Sequence, residues 1–219
     1  MVFGKIDYIN LLPFHVFLKK SSLSSSFKSA CEYHKSYPSA INKKFKNRRV
    51  DAAFISSIQS NKKGIYPLDI GIIAKQEVRS VLVKKGSSKQ DPASATSNML
   101  AQVLDIQGEV ISGDRALKFY LENPIDYVDL AQQWHQKHNL PFVFARLCVN
   151  RHKSFYKKLS QRFIQTPIKI PCYILEHYAK ERGICTKDIQ AYLKLISYTM
   201  KQKEAQALKL FLTKASAQK

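Results

Sequence analysis

Polar side chains follow two predicted strands in the first part of the chain. Asn10 ends an apolar segment and precedes Pro13. Ser56 and Ser57 follow the apolar segment that begins at Val50. Amides and hydroxyls in such positions are most often turn formers or caps of the next helix. They can also donate hydrogen bonds to the oxygen atoms of a bound anion. Both interpretations stay open for Asn10 and for the serine pair.

A second group of hydroxyls lies at the predicted start of a helix. Ser94, Thr96 and Ser97 stand within four residues of one another. The helical spacing of Leu100 and Leu104 follows directly. A helix start has unpaired backbone N–H groups and a partial positive charge, so hydroxyls placed there can hold a carboxylate without a formal cation. The simpler interpretation is an N-terminal cap, and the local sequence does not separate the two.

Three further residues are weaker candidates when only their neighbours are considered. Ser80 stands in an apolar run and is typical of an ordinary strand residue. Gly113 and Asp114 close the apolar segment that begins at Val110. An aspartate between a strand and a helix favours a capping role, with a catalytic carboxylate as the alternative.

The sequence lacks the motifs of the common nucleophilic and cofactor-dependent enzymes. It contains no nucleophile elbow, no P-loop and no GxGxxG motif. Its six histidines include no HExxH pair, and His135 and His138 have no third metal ligand near them in the sequence. The four cysteines form no CxxC pair, which predicts reduced thiols. An enzyme with this sequence is predicted to work without a metal or another cofactor.

Strand-like and helical segments alternate over the first 150 residues, which predicts an α/β protein with a parallel or mixed sheet. Strands are expected at 2–9, 50–55, 70–74 and 80–84, and helices at 13–20, 41–47 and 94–104. Between Asp129 and Ala145, Leu130 and Trp134 share one helical face and an apolar run follows, which predicts a core helix and then a core strand. The serine-rich segment 21–29 is expected to be a loop.

The pattern after Asn150 is predicted to be wholly helical. One apolar stripe runs from Ile189 to Met200, and a second contains Leu208, Phe211 and Leu212.

Charge is the strongest sign of a different function. The 219 residues carry a formal net charge of +20, and 45% of them are hydrophobic, which is enough for a sizeable core. Basic residues alternate with aromatics at 43–49 and 151–163, as they do in some nucleic-acid binders. However, bases are scattered over the whole chain and no nucleic-acid-binding motif accompanies them. We therefore predict no nucleic-acid partner, but a solvated basic surface that attracts anionic metabolites.

Neither export nor membrane attachment is expected. No segment approaches the roughly 20 consecutive apolar residues of a membrane span. The first residues include Lys5 and Asp7, and no small-residue cleavage site follows them. A cytoplasmic location is predicted, and the sequence does not indicate an oligomeric state.

Six segments, in this order, resemble the pattern of one enzyme family. They are GKIDYINLLPF from Gly4, VDAAFISSI from Val50, EVRSVLV from Glu77, ASATSNML from Ala93, VISGDRAL from Val110 and DLAQQWHQKHNLPFVFA from Asp129. The segment from Tyr192 to Phe211 is also similar to the closing helices of that family. Together the segments resemble the chorismate dehydratases of the futalosine route to menaquinone.

The resemblance implies a two-lobed α/β fold of the type II periplasmic-binding-protein class, with the ligand cleft between the lobes. Residues 1–79 and 151–219 would form one lobe and residues 80–150 the smaller one, with crossings near Arg79 and Asn150. Strand ends and helix starts meet at the crevice in such folds. Hinge motion about the crossings could then exclude water.

The resemblance also assigns roles to the polar residues. It implies that Asn10 and Ser80 position the reacting part of chorismate. The residues implied in substrate binding are Ser56, Ser94, Thr96, Ser97, Gly113 and Asp114. The implied reaction is loss of water to give 3-[(1-carboxyvinyl)oxy]benzoate. Because the matching motifs contain no well-placed His or Glu, the enolpyruvyl carboxylate of the substrate is expected to remove the proton, with Asp114 as the alternative base.

Two other functions remain as alternatives. A two-lobed chain of this kind could bind a small anion without reacting, although the missing export signal argues against a solute-binding protein. The related enzyme that acts later in the same route, 1,4-dihydroxy-6-naphthoate synthase, is the second alternative. The WHQKHNLPFVFA segment, from Trp134, favours the dehydratase over it.

Overall fold

The computed structural model describes residues 1–123 and 125–218, and two β-sheets form its framework. In chain order the strands are β1 (Phe3–Gly4), β2 (Ala52–Ser56), β3 (Tyr66–Ala74), β4 (Val81–Lys84), β5 (Glu109–Ser112), β6 (Tyr127–Asp129), β7 (Phe142–Val149) and β8 (Ile196–Thr199). The larger sheet has the order β1-β2-β7-β3-β8 and the smaller one β5-β4-β6. Strands β1 and β2 are parallel and the other pairs are antiparallel, so the larger sheet is mixed, as predicted.

Helices fill the connections between the strands and the C-terminal third of the chain. They are α1 (Leu12–Lys20), α2 (Ser25–Tyr33), α3 (Pro38–Lys46), α4 (Ala95–Leu104), α5 (Asp114–Glu122), α6 (Leu130–His138), α7 (Lys153–Gln165), α8 (Cys172–Arg182), α9 (Thr186–Leu193) and α10 (Gln202–Ser216). Proline stands in the first turn of α1 and of α3, where its missing N–H costs no hydrogen bond. The α/β class predicted from the sequence is confirmed.

Aromatic side chains pack the helices onto the larger sheet. The ring of Phe14 in α1 lies edge-to-face on Phe54 of β2 and on Phe163 of α7, with ring centroids 5.3 and 5.0 Å away. All three rings are buried. Edge-to-face pairs of this kind add about 0.5–1.5 kcal/mol beyond the burial of their surface. They hold α1, and with it the segment that leads into α1, in a fixed position on the sheet.

A second aromatic group joins the two sheets through the C-terminal helix. Trp134 of α6 is fully buried and contacts Phe142 of β7 and Phe211 of α10 edge-to-face, with centroids 5.3 and 6.1 Å away. The predicted core helix followed by a core strand is therefore confirmed. Because α10 packs against both α4 and β7, it covers elements on each side of the cleft.

The chain crosses between the sheets at two non-glycine residues with left-handed backbone conformations. The first crossing, between β3 and β4, contains Arg79 with φ 59°, and the second, between α6 and β7, contains Asn139 with φ 50°. The indole N–H of Trp134 donates to the carbonyl of Pro141 at 3.1 Å, which holds the second crossing.

A buried carboxylate holds the first crossing. One oxygen of Asp129 accepts hydrogen bonds from the backbone N–H groups of Val78 and Arg79, at 2.9 and 2.6 Å. Its other oxygen accepts from the N–H groups of Ala131 and Gln132 at the start of α6. One side chain therefore fixes both the crossing and the start of a helix.

The second crossing lies earlier than predicted. Strand β7 pairs with β2 and β3 in the larger sheet, so the chain has returned to that sheet before Asn150. An apolar run predicts a strand, but it does not specify the sheet in which the strand pairs. In place of a smaller lobe of residues 80–150 we propose one that begins after Arg79 and ends at Asn139.

The structure corrects three predictions of secondary structure. The C-terminal part is not wholly helical: α9 ends at Leu193, and β8 pairs with β3, so the apolar residues from Ile189 to Met200 do not form one stripe. The segment 21–29 is not all loop, because Ser24 caps α2 by accepting a hydrogen bond from the N–H of Phe27. The strand predicted over 2–9 is limited to β1.

Candidate active site

A cavity of about 70 Å³ lies between the two sheets, and residues of both line it. Of the predicted site residues, those that line this inner cavity are Asn10, Ser56, Ser80, Ser94, Ser97 and Gly113. An outer cavity of about 520 Å³ adjoins it, since Tyr8 and Ser112 line both. The structure thus brings together six residues from five separate segments of the sequence.

Two tyrosines, the buried Tyr192 and the half-buried Tyr198, support Asn10 and Ser80 from behind. The hydroxyl of Tyr192 lies 2.8 Å from the hydroxyl of Ser80, and both residues are 2% exposed. Burial raises the pKa of Tyr192, while hydrogen bonds with Ser80 and with the side chain of Asn10 act in the opposite direction. The hydroxyl of Tyr198 donates to the backbone carbonyl of Asn10 at 2.7 Å. Two residues of the C-terminal segment therefore hold the two predicted catalytic residues.

An amide side chain orients Ser56 at the end of β2. The side-chain N–H of Asn42 in α3 donates to the hydroxyl oxygen of Ser56 at 2.8 Å. The backbone N–H of Ser56 donates in return to the carbonyl oxygen of Asn42, at 3.3 Å. Since its oxygen already accepts one hydrogen bond, the Ser56 hydroxyl can direct its own hydrogen toward the cavity.

The start of α4 has the predicted N-cap and also borders the inner cavity. Ser94 is the N-cap, accepting from the backbone N–H of Ser97 at 3.3 Å, and the two hydroxyls are 2.6 Å apart. Both side chains also line the inner cavity. Thr96 does not line it: its hydroxyl faces the other side of the helix, 3.4 Å from the hydroxyl of Ser57 and from the backbone N–H of Ile58. The helical twist between successive residues separates Thr96 from its neighbours.

Gly113 allows the ring of Tyr8 to approach the backbone closely. Its φ is +75°, and a Cβ atom at this position would lie 2.6 Å from the Tyr8 ring. No side chain fits there, and the backbone conformation itself favours glycine. The N–H of Gly113 also donates to the carbonyl of Ser80 at 2.8 Å, which places the end of β5 beside the start of β4.

Asp114 lies outside the inner cavity and does not cap α5, so the predicted capping role is wrong. One carboxylate oxygen accepts from the backbone N–H of Ile9 at 2.9 Å, and the other from the guanidinium of Arg182 at 2.6 Å. Burial raises the pKa of Asp114, whereas both of these donors favour its charged form. The partners lie far away in the chain, so the local sequence pattern could not reveal them. Asp114 instead connects the end of the smaller sheet to α8 and to the segment that contains Asn10.

Charged groups lie at the outer cavity rather than in the inner one. Of the described residues that line the inner cavity, none is an acid, a histidine or a cation. Asp91, which lines the outer cavity, is 2% exposed and accepts a hydrogen bond from the hydroxyl of Ser112 at 2.6 Å. Arg115 lies 3.4 Å from the same carboxylate and is 58% exposed. Among the described residues that line the outer cavity, Arg115 is the one cation.

Several residues of the site were not predicted from the sequence. Tyr8 and Ser112 stand inside two of the segments that resemble the family pattern. Tyr8 directly precedes the end of a predicted strand, and Ser112 directly precedes Gly113. Selecting every polar residue of those segments would have included both. Tyr192 and Tyr198 have no local signal, because each stands among ordinary apolar residues of the C-terminal segment.

Neither a metal site nor a membrane span is found within residues 1–123 and 125–218. No group of three or more His, Cys, Asp or Glu side chains there is placed to hold a metal ion. No helix in that part of the chain is long and apolar enough to cross a bilayer.

Comparison with known sequences gives two matches. The sequence model of a family described as menaquinone biosynthesis matches residues 95–217. A chorismate dehydratase of Campylobacter jejuni is 51% identical over 219 residues, covering 99% of this chain and 98% of the relative.

Comparison with solved structures gives similar folds at low sequence identity. A protein of Archaeoglobus fulgidus superposes with a TM-score of 0.70 at 13% identity, covering 98% of this chain and 96% of the other. An ABC transporter structure from Parabacteroides distasonis gives 0.61 at 12% identity, with 99% and 92% covered. A Candida albicans protein described as having the generic periplasmic-binding-protein fold gives 0.55 at 10% identity, with 99% and 90% covered. The predicted periplasmic-binding-protein-like fold is thereby confirmed.

Proposed function

The chain belongs to the menaquinone-biosynthesis family, and on that basis we propose that it is a chorismate dehydratase, a hydro-lyase of the futalosine route acting in the cytoplasm. The observation that carries this proposal is the 51% identity to a chorismate dehydratase over nearly the full length of both chains. The reaction removes a proton from the ring carbon that carries the enolpyruvyl ether and a hydroxide from the neighbouring carbon. Aromatisation of the ring supplies the driving force.

The lining of the inner cavity suits a dicarboxylate bound by neutral donors. In our proposal the start of α4, with Ser94 and Ser97, holds one carboxylate through hydroxyl and backbone N–H groups. Asn10 and Ser80 position the reacting carbons from the two sides of the cleft. Because the tyrosines behind them are hydrogen-bonded to them, Asn10 and Ser80 are positioned before the substrate arrives, which favours catalysis by orientation.

The base that we propose is the enolpyruvyl carboxylate of the substrate. The described residues that line the inner cavity offer no carboxylate or imidazole. The two nearest carboxylates are already engaged: Asp114 by Ile9 and Arg182, and Asp91 by Ser112. These contacts hold both carboxylates towards other protein groups, and both residues line the outer cavity rather than the inner one.

The cleft must open before chorismate can enter. A cavity of about 70 Å³ is far smaller than the roughly 300–1,000 Å³ of typical small-molecule sites. We propose that rotation about the crossings at Arg79 and Asn139 opens it and that closure excludes water around the reacting atoms.

The decisive experiment is to incubate the purified protein with chorismate and to follow the loss of one water by mass spectrometry. We expect 3-[(1-carboxyvinyl)oxy]benzoate as the product. Binding of chorismate without product would favour the anion-binding alternative, and turnover of the cyclised futalosine product instead would favour the later enzyme.

Two experiments identify the base: one changes the substrate, and the other changes the protein. An analogue whose enolpyruvyl carboxylate is esterified should bind but react far more slowly. Asp114→Asn should retain most of its kcat, since Asp114 is then only a structural support. Loss of turnover in a folded Asp114→Asn protein that still binds chorismate would make Asp114 the base.

A further inference from the structure

Tyr8 occupies the boundary between the inner and the outer cavity. It lines both, and its ring rests on the backbone of Gly113, where no Cβ atom could be accommodated. No hydrogen bond joins its hydroxyl to another side chain or backbone group in the described part of the chain. The ring is therefore fixed in place while the hydroxyl is left for a ligand.

Tyr8 is also the one titratable side chain among the described residues that line the inner cavity. Burial and the nearby carboxylates of Asp91 and Asp114 raise its pKa to about 12. The phenol consequently keeps its proton across the physiological range and can act as a donor, whereas it is unsuited to be a base.

Dehydration of chorismate requires such a donor, because hydroxide is a strong base and a poor leaving group. The groups assigned above orient the substrate and remove the ring proton, but none of them supplies a proton to the departing oxygen. We propose that Tyr8 is the catalytic acid that protonates the hydroxide as it leaves. This inference rests on the proposed dehydratase function and adds one residue to its mechanism.

The proton transfers balance within one turnover. The enolpyruvyl carboxylate takes the ring proton, the electron pair of that C–H bond forms the new ring double bond, and the C–O bond of the neighbouring carbon breaks. The Tyr8 O–H gives its proton to the departing hydroxide, which leaves as water. The Tyr8 phenolate then regains a proton from the enolpyruvic carboxylic acid, so the enzyme and the carboxylate both return to their starting states.

The test uses Tyr8→Phe with two substrates that differ in leaving group. With chorismate, kcat should fall about a hundredfold or more, while KM changes little. With 4-deoxy-4-fluorochorismate the departing fluoride is a much weaker base than hydroxide, so the variant should lose less than about threefold. The matched control is Tyr37→Phe, a tyrosine that lines the outer cavity alone and is 61% exposed, which should behave as wild type with both substrates.

Two results would overturn the proposal. One is a kcat for Tyr8→Phe on chorismate within about twofold of the wild type, and the other is an equal loss on both substrates, which would indicate a binding or packing role. If the wild type itself does not dehydrate chorismate, the proposed function fails instead, and this outcome is recognised before any variant is compared.

A second variant covers the case in which Tyr8→Phe does not fold. Incorporation of a ring-fluorinated tyrosine at position 8 preserves the shape of the side chain but lowers the pKa of its phenol. The variant should then lose kcat at an alkaline pH at which the wild type, with the pKa of Tyr8 raised to about 12, keeps it, because the fluorinated phenol loses its proton earlier. An unchanged pH profile would exclude Tyr8 as the acid.

Discussion

Asn10 presents its side chain to the inner cavity while its backbone is held by Tyr198. Replacing Asn10 with Ala removes the amide but keeps the carbonyl that Tyr198 contacts, so the protein should fold normally. We expect kcat/KM for chorismate to fall about tenfold or more, which corresponds to the loss of one oriented contact worth about 1.4 kcal/mol. Steady-state kinetics of the folded variant measures this, and wild-type kinetics would remove Asn10 from the site.

Tyr192 does not line the inner cavity, but its hydroxyl lies beside that of Ser80, which does. Tyr192→Phe keeps the buried ring and removes the hydroxyl beside Ser80. We expect kcat to fall about tenfold and the free energy of unfolding to fall by about 1 kcal/mol, as for the loss of one buried hydrogen bond. Tyr156→Phe is the matched control: it removes another buried hydroxyl, one that donates to the carbonyl of Val2, and it should lower stability without changing kcat.

A double-mutant cycle shows whether Tyr192 acts through Ser80. In a Ser80→Ala background the further change Tyr192→Phe should lower kcat less than it does in the wild type, since one of the two side chains that Tyr192 contacts, Ser80, has already lost its hydroxyl and only the contact with Asn10 is left. Additive losses in the cycle would contradict a positioning role.

At the scale of elements, the first crossing depends on the Asp129 carboxylate. Asp129→Ala leaves four backbone N–H groups, at the crossing and at the start of α6, without their acceptor. We expect the free energy of unfolding, measured by urea titration, to fall by about 2–4 kcal/mol. Asp126→Ala, which changes an exposed aspartate three residues earlier, should lower it by less than about 0.5 kcal/mol. Equal effects of the two substitutions would show that the crossing is held by other contacts.

The carboxylate of Asp7, in the segment before Asn10, accepts a hydrogen bond from Tyr178 of α8. Burial alone would raise the pKa of Asp7, but the hydrogen bond from Tyr178 and the charges of Lys5, Lys35 and Arg182 outweigh it and lower the pKa to about 2. An acid whose pKa is lower in the folded protein contributes stability above its ordinary pKa of 3.8 and loses that contribution as the pH falls towards 2.

The pH dependence of stability provides the test. The melting temperature of the wild type should fall more steeply between about pH 4 and pH 2 than that of Asp7→Asn, because the variant has no carboxylate to protonate. At pH 7 the variant should be the less stable of the two. Parallel melting curves over this range would mean that Asp7 contributes nothing through its charge.

At the scale of the whole molecule, the net charge of +20 faces a dianionic substrate. The described residues of the inner cavity carry none of this charge, so its effect should be on encounter rather than on the reaction. Raising the ionic strength from about 0.01 M to 0.15 M shortens the screening length from about 30 Å to about 8 Å. We expect kcat/KM for chorismate to fall over this range while kcat stays constant. A kcat that falls in parallel, or a constant kcat/KM, would contradict steering by the surface charge.

The sequence alone determined the features that depend on residues close together in the chain. Strand ends and helix starts have local signatures, so Asn10 and Ser94 could be selected as candidates from their own segments, whereas Ser80 became a candidate only through the family resemblance. The same holds for α6 and β7, whose apolar spacing is a property of about 17 consecutive residues. The ordered set of motifs also indicated the family, which the comparisons confirm.

Only the tertiary structure decided which of these groups meet and in what orientation. Asp114 binds Ile9 and Arg182, and Tyr192 reaches Ser80, over separations of 68 to 112 residues. Such pairs depend on how the sheets are arranged, for which the local sequence has no signal. The pairing of β7 in the larger sheet and the orientation of Thr96 towards Ser57 have the same origin, because packing, not propensity, selects among conformations that are locally equivalent.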